Sequence, residues 1–520
     1  MMLFDVIVIG GGHNGLVAAA TLAKSGRKVV VLEADSTLGG AARTGEFAPG
    51  FRVSAVAHLL NRLHPEVIRT LELERHGLSF DPASFLPSIA LSSDGAPLTL
   101  NGAYGESLAG ASPSEQAAWK ELRAQLFRYA GILKPLLARR PPDLEGMSFK
   151  ETATLAMTGV SLRRLGKEDM RDFLRMLLMN VADVLDEHLE DDRLKGLIAF
   201  DATLGSHLGP RSPTSLLGLY YRLAGEIGGT PGAQVIPVGG AGAVVSAIQT
   251  AAGNAGVKIR PNAQVAKIIV ENGRAVGAVL ADGEEIRAKT VVSAISPRTT
   301  FLDLVGTREI DTGFVRRVSN IRTGGNAAKL HLALDGLPQF PGVDEAMLRG
   351  RLVIAPSADH VERSFNPAKY GEFSPEPVME ITLPSLTDPS LAPPGTCTLS
   401  AVVQYAPYAL KGGWTHGKPK FLEAILAQLE VHAPGISKLI RHAELLTPLD
   451  IEQRYRMPGG HWHHGELQAD QMLMSRPVFG AANYDTPIDG LYLAGAGSHP
   501  GGGVSGVPGL NAARRIIART

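Results

Sequence analysis

The chain has 520 residues, of which 44% are hydrophobic and 20% charged, with 51 basic side chains against 51 acidic ones. A formally neutral chain without a basic tract has no long-range field for polyanions, so nucleic acid is not expected as a partner. The single cysteine, Cys397, excludes an intrachain disulfide, a Cys-x-x-Cys redox pair and a thiolate zinc site.

From about Leu3 the chain runs Phe4-Asp5-Val6-Ile7-Val8-Ile9, a near-continuous apolar stretch suited to a central parallel strand buried on both faces. In the chain as given this leaves no room for a leader, and no apolar run reaches the ~18 residues of a membrane span. A cytoplasmic location is therefore expected, with peripheral membrane contact left open.

The strand ends at Gly10-Gly11-Gly12-His13-Asn14-Gly15, which fits G-x-G-x-x-G. In that loop Gly10 and Gly12 allow a tight turn and close approach of a pyrophosphate, and Gly15 allows close helix packing, with His13 and Asn14 on the same turn. Small and apolar residues from Leu16 to Ser25 predict the helix, Gly26 its stop, and Lys28–Leu32 a second buried strand. Glu33 closes that strand, followed by Ala34, where a carboxylate accepts hydrogen bonds from an adenosine ribose. A second glycine turn follows at Gly39-Gly40-Ala41-Ala42-Arg43-Thr44, with the Arg43 guanidinium available to offset diphosphate charge. The spacing from Glu33 to Arg43 is typical of flavoproteins and favours FAD over NAD.

Residues 105–230 lack strand alternation and predict helices over Ser114–Leu137, Arg171–Leu189 and Ser212–Leu223, read as a separate cap. The run Phe173–Val181 is apolar on more than one face. It suits ordinary core first, a tunnel wall or a membrane contact second. A helix over Ala243–Ala255, a short strand Val257–Ile259, a hairpin Val265–Val270 with Ala275–Leu280 about Asn272-Gly273, and a strand Ala288–Ala294 follow. Strands Ala327–Leu334, Val378–Leu383 and Thr396–Val403, with a helix near Lys420–His432, form the sheet of a substrate lobe. At the end, Leu491–Ala494, a glycine-rich loop and a helix over Val507–Ala518 return to the opening pattern.

The expected fold is α/β: a discontinuous Rossmann-type, glutathione-reductase-like FAD-binding domain with an α+β substrate domain and a helical cap. The FAD-binding domain takes residues 1–80, 232–300 and 450–520; the substrate domain takes 81–231, with the cap, and 301–449.

His464 and Glu466, in a turn-like segment before the C-terminal glycine run, are the candidate catalytic groups. His58 and His499 sit beside segments expected to line the flavin, where either suits a hydrogen bond to a ring or a substrate oxygen, a structural role being the first reading for each. His461, His463 and His464 surround Trp462 without an accompanying ligand set, so no metal is expected. No second G-x-G-x-x-G follows a strand, so no nicotinamide domain is evident and electrons are expected to leave to oxygen, a quinone or another carrier.

The opening motif, Gly39–Thr44 and the ending Gly490-Leu491-Tyr492-Leu493-Ala494-Gly495-Ala496-Gly497-Ser498-His499-Pro500 through Gly503 resemble the bacterial phytoene desaturase and carotenoid oxidoreductase group. More closely, Gly50-Phe51-Arg52, His58-Leu59-Leu60, Leu71–Leu78 and Pro458-Gly459-Gly460 through Glu466 resemble the pyridine nucleotide-disulphide oxidoreductase domain-containing protein 2 family. The chain departs from the desaturase pattern at Ser498 and across Ser505–Gly509. The resemblance implies an extended FAD, with Val265 meeting the adenine through its backbone. It also implies that Gly495, Gly497, Val504, Ser505 and Gly506 lie along the ribitol and flavin, the following helix dipole favouring negative charge on the ring.

The function expected is FAD-dependent oxidoreduction of an apolar small molecule, by C–C desaturation or saturation or by C–H oxidation with hydride transfer to flavin N5. Two alternatives are a non-redox flavin-dependent isomerase and a flavin-binding regulatory or interaction protein. A homodimer is the expected assembly.

Overall fold

The computed structural model describes residues 4–142 and 149–519; Leu3 lies outside them. Strand β1 (Phe4–Ile9), helix α1 (His13–Lys24) and strand β2 (Val29–Leu32) form the opening βαβ unit. The first sheet runs Lys258–Arg260, β2, β1 and Glu285–Ser293, all parallel. The nine-residue strand Glu285–Ser293 has two partners beyond β1. Gly277–Val279 of the hairpin strand Arg274–Leu280 pairs antiparallel with its start, and Leu491–Leu493 pairs parallel with its end. The last strand of the chain thus completes the sheet begun by the first. Helices α1, Ala241–Asn254 and Val507–Arg519 cover one face, packing Leu16, Val17, Val244, Ile248, Leu510 and Ile516 into one core.

The second sheet has eight strands in the order Ile440–Leu446, Ala327–Leu334, Cys397–Gln404, Met379–Thr382, Arg351–Ile354, Ser88–Ala90, Leu98–Asn101 and Ser107–Ala109. Only the Arg351–Ile354 and Ser88–Ala90 pair is parallel. Strand alternation divides its residues sharply. Leu330, Leu332, Leu352, Ile381, Leu399 and Val403 pack on Phe421, Ile425 and Leu429 of the helix Trp414–His432. The other face carries Ser88, Lys329, His331, Arg351, Glu380, Ser400 and Gln404, all buried.

Several expectations are corrected. The helical segment is not a separate cap: Trp119, Leu126, Leu197, Phe200 and Leu219 share one core with Leu98, Val353, Val378 and Tyr405 of the second sheet. The single helix expected over Arg171–Leu189 is two, Lys167–Met176 and Val181–His188, because the Asn180 side chain caps the second by accepting from Asp183 N at 2.8 Å. The helix expected from Ser212 begins at Leu216, after Thr214 in a left-handed conformation (φ 62°). Three strands between Ser88 and Ala109, and the strands Arg351–Ile354 and Ile440–Leu446, belong to the second sheet although their short runs gave no clear alternation. Phe173 and Met176 are core residues, whereas Leu174 and Leu178 are 52% and 67% exposed. Among the described residues no helix is long and apolar enough to cross a membrane.

Candidate functional site

Two connected spaces lie where the lobes meet. The first, about 420 Å³, is lined by Gly10, Gly12, His13, Asn14, Glu33, Ala34, Gly39, Gly40, Val265 and His464, together with Ala263, Gln264, Ala294 and Ala496. The second, about 190 Å³, is lined by His58, Leu59, Arg62, Asp201, Arg222, Glu380, Val402, Gly502, Gly503 and Val504, among others. His13, Ala41 and Trp462 line both, so the spaces join there.

The first space has the chemistry of a dinucleotide channel. Gly10 has φ +98°, a backbone state that side chains disfavour, and a Cβ on Gly15 would stand 2.1 Å from the Gly10 carbonyl oxygen. A Cβ on Gly12 would meet nothing within 4 Å, so this glycine faces open space at the N-terminus of α1. That end has no side-chain cap, leaving its amides for an anion. His13 Nε2, Asn14 Oδ1 and His464 Nδ1 are buried without a partner among the described residues, in side chains that line the channel. The Glu33 carboxylate sits at the end of β2, accepting from Gly11 N at 2.7 Å and Asp35 N at 2.9 Å. These glycines, open amides and unpartnered acceptors and ring nitrogens fit an extended FAD.

Not every expected residue lies on the channel wall. Arg43 turns to Asp35, donating at 2.9 Å, and stacks on the Tyr455 ring with its Cζ 4.9 Å from the centroid. Its charge is therefore already matched by a neighbouring carboxylate. Gly495 and Gly497 allow close approach instead: a Cβ would lie 2.7 Å from the Ala294 and Ile295 carbonyl oxygens or 2.4 Å from Pro297 Cδ. Ser505 Oγ accepts from Val507 N at 3.2 Å at the start of the last helix. Gly506, with φ +71°, packs on Val17 and Val67.

The two candidate catalytic groups have different surroundings. His464, in a left-handed conformation (φ 56°), lines the channel; burial, then Arg476 and His461, push its imidazole down to about 3. Glu466 lines neither space. Its carboxylate accepts from His207 N at 3.2 Å and lies 3.5 Å from His461 Nε2, tying this loop to the helical segment. His499 is likewise a tie, its Nε2 2.9 Å from the Leu136 carbonyl oxygen at the end of the helix Pro113–Ala138.

Of the most charged part of the second space, only His58 was singled out from sequence. His58 Nε2 lies 2.9 Å from Glu380 Oε1, and Lys329 Nζ lies 2.6 Å from His58 Nδ1. Arg351 donates to Glu380 Oε2 at 2.5 Å, and also to Asp201, whose Oδ2 accepts from Tyr104 at 3.0 Å. Burial pushes Lys329 down to about 7 despite Glu380, and burial with Lys329 pushes His58 to about 4. Burial alone would raise Glu380, but Arg351 and His58 hold it well below the usual carboxylate range. The usable signal was a lone charge at an alternating position within an apolar strand, as in Ala-Ala-Lys-Leu-His-Leu-Ala-Leu and Val-Met-Glu-Ile-Thr-Leu.

The family model for flavin containing amine oxidoreductase matches residues 15–517. The mouse pyridine nucleotide-disulfide oxidoreductase domain-containing protein 2 is 36% identical over 549 aligned residues, covering 99% of this chain and 93% of its own. A limonene dehydrogenase polypeptide of Castellaniella defragrans is 29% identical, covering 98% and 94%. The crystal structure of an oxidoreductase from Methanosarcina mazei superposes with a TM-score of 0.60 at 19% identity, covering 100% of both chains. That last likeness concerns the fold.

Proposed function

Because the chain belongs to the flavin containing amine oxidoreductase family and is an FAD-dependent oxidoreductase, we propose that it dehydrogenates a small, mainly apolar molecule in the space beneath His58. The observation that carries this reading is the junction of the two spaces at His13, Ala41 and Trp462. A reacting carbon there is enclosed by protein, within reach of the Lys329–His58–Glu380 unit. FAD, when bound, supplies the two-electron acceptor for a hydride.

The chain's own part is to orient, to keep out water and to take a proton. Val56, Leu59, Leu204, Val402 and Leu467 give the second space an apolar wall, which holds a hydrocarbon body without directional bonds. Desaturation removes a hydride from one carbon and a proton from its neighbour. With Lys329 lowered to about 7, a neutral amine beside His58 is available near neutral pH as the proton acceptor of this unit. The electrons then pass to oxygen, a quinone or another carrier. The relative named for limonene dehydrogenation supports dehydrogenation within a hydrocarbon body.

The test is an absorption spectrum of the purified protein, identification of the released cofactor, and anaerobic mixing with apolar compounds, both neutral alkenes and alkanes and long-chain acids. Bleaching of the oxidised-flavin bands by such a compound, with a dehydrogenated product, is expected. FAD that no apolar compound bleaches, or a product isomerised without net reduction, would overturn the reading.

A further inference from the structure

Arg62 carries a positive charge into the second space with no negative partner among the described residues. It stands in the loop after Leu60, whose backbone is pinned by two reciprocal hydrogen bonds of 2.9 Å with Val235. Its side chain lies over Gly503, where a Cβ would be 2.3 Å from Arg62 Cδ. The guanidinium lies on the Tyr221 ring, with its Cζ 3.5 Å from the centroid, and donates to the Tyr221 carbonyl. Tyr221 is in turn held by its hydroxyl, which donates to Gly502 O at 2.7 Å. Stacking of this kind fixes the plane of the fork and leaves its remaining N–H groups pointing along that plane.

Among the described residues no carboxylate lies within 4 Å of Arg62. Both neighbouring acids are committed: Asp201 to Arg351, Tyr104 and, at 3.5 Å, Arg222; Glu380 to Arg351 and His58. Arg222 adds a second cation close by, its own fork engaged by Gln234 at 2.5 Å. A part-buried guanidinium does not neutralise itself, because it keeps its proton at any accessible pH. An unpaired, partly buried charge of this type is stabilised by an anion from outside the chain.

We propose that Arg62 is a specificity residue of this cavity, receiving the carboxylate of a substrate whose apolar body lies against Leu59, Leu204 and Leu467. The inference rests on the reading of the second space as the substrate site and names the class of molecule it takes: an apolar acid, not an amine or a neutral hydrocarbon.

The experiment titrates the FAD-loaded protein with decanoate, decylamine and decanol, following the perturbation of the flavin absorption bands. Decanoate is expected to bind about tenfold or more tightly than either of the others, the worth of one charge-assisted fork contact. Arg62→Gln is expected to erase that preference while flavin content and reduction by dithionite stay as in the parent; Arg62→Lys is expected to recover it in part. Equal binding of the three probes by the parent would overturn the proposal without help from any variant. So would an Arg62→Gln protein that retains FAD and still prefers decanoate. Loss of FAD, or a changed ionisation of the reduced flavin in Arg62→Gln, would assign Arg62 to the cofactor and overturn its role toward substrate. A parent protein that holds no FAD fails earlier, and that result strikes the functional reading itself.

Discussion

Lys329 Nζ stands 2.6 Å from His58 Nδ1, and the opposite nitrogen of the same ring stands 2.9 Å from Glu380 Oε1. With Glu380 held as a carboxylate by Arg351, Nε2 must carry the ring proton and donate it. Nδ1 is then an acceptor, and the lysine N–H its donor. One imidazole therefore couples an amine on one strand to a carboxylate on another, and the tautomer is set by the acid.

The pH dependence of flavin reduction follows from that chain. An amine lowered to about 7 accepts a proton only when it has lost its own, so the reduction rate should rise as pH increases through about 7. Lys329→Met should remove this limb and slow reduction about 10²-fold or more, the usual worth of a positioned base. Stopped-flow reduction from pH 6 to 9 checks it; a parent profile flat across about pH 7 would argue against Lys329 as the base.

The same residue makes a stability prediction with a definite sign. Its folded value lies below the ordinary 10.5, so between these values the unfolded chain binds more protons and stability rises with pH. Below about pH 7 the charged amine is buried at full cost. Lys329→Met should therefore gain stability relative to the parent at pH 6 and lose that advantage by pH 10. Melting temperatures of both proteins at the two pH values decide it.

Two glycines of the first loop should separate binding from folding. Gly12→Ala adds a methyl group to open space, so the apoprotein should melt as the parent does while FAD affinity falls about tenfold or more. Gly15→Ala places the methyl 2.1 Å from the Gly10 carbonyl oxygen and should destabilise the apoprotein by about 1–3 kcal/mol. Thermal melts and FAD titration of the two apoproteins give the comparison.

Asp201→Ala should be the more damaging change. It strips Arg351 of one of its two carboxylates in a site where both are buried, and breaking such a pair costs about 3–5 kcal/mol. Denaturant unfolding measures it. A loss below about 1 kcal/mol would mean that water reaches the guanidinium.

Glu466→Gln should act on structure rather than chemistry. Its carboxylate holds His207 N of the helical segment, so the expected loss is about 1–3 kcal/mol of stability, with the pH profile of flavin reduction unchanged. A shifted profile would restore Glu466 to the proton path.

The dinucleotide lobe was legible because its signals are local. β1, the glycine loop, α1 and β2 are consecutive, and each rests on a steric rule that reads over a few residues: a buried parallel strand, a turn that needs Gly10, a helix start with open amides. Glu33 could be placed because the end of β2 fixes its position relative to that loop. Arg43 shows the limit. Its spacing was right for a phosphate, but its guanidinium is taken by Asp35, and such competition between neighbours has no signature in spacing.

The substrate side was legible only as elements. Strands were expected over Ala327–Leu334 and Val378–Leu383, yet nothing local pairs Lys329 with Glu380, because they are joined through Val402 of a third strand and through His58 of the other lobe. Sequence by itself determined the period-two alternation that puts charge on one face of that sheet, and the glycine and acid positions of the FAD lobe. Only the tertiary structure decided which charges meet, since a hydrogen bond between residues about three hundred positions apart depends on strand order and lobe docking, and neither leaves a local trace.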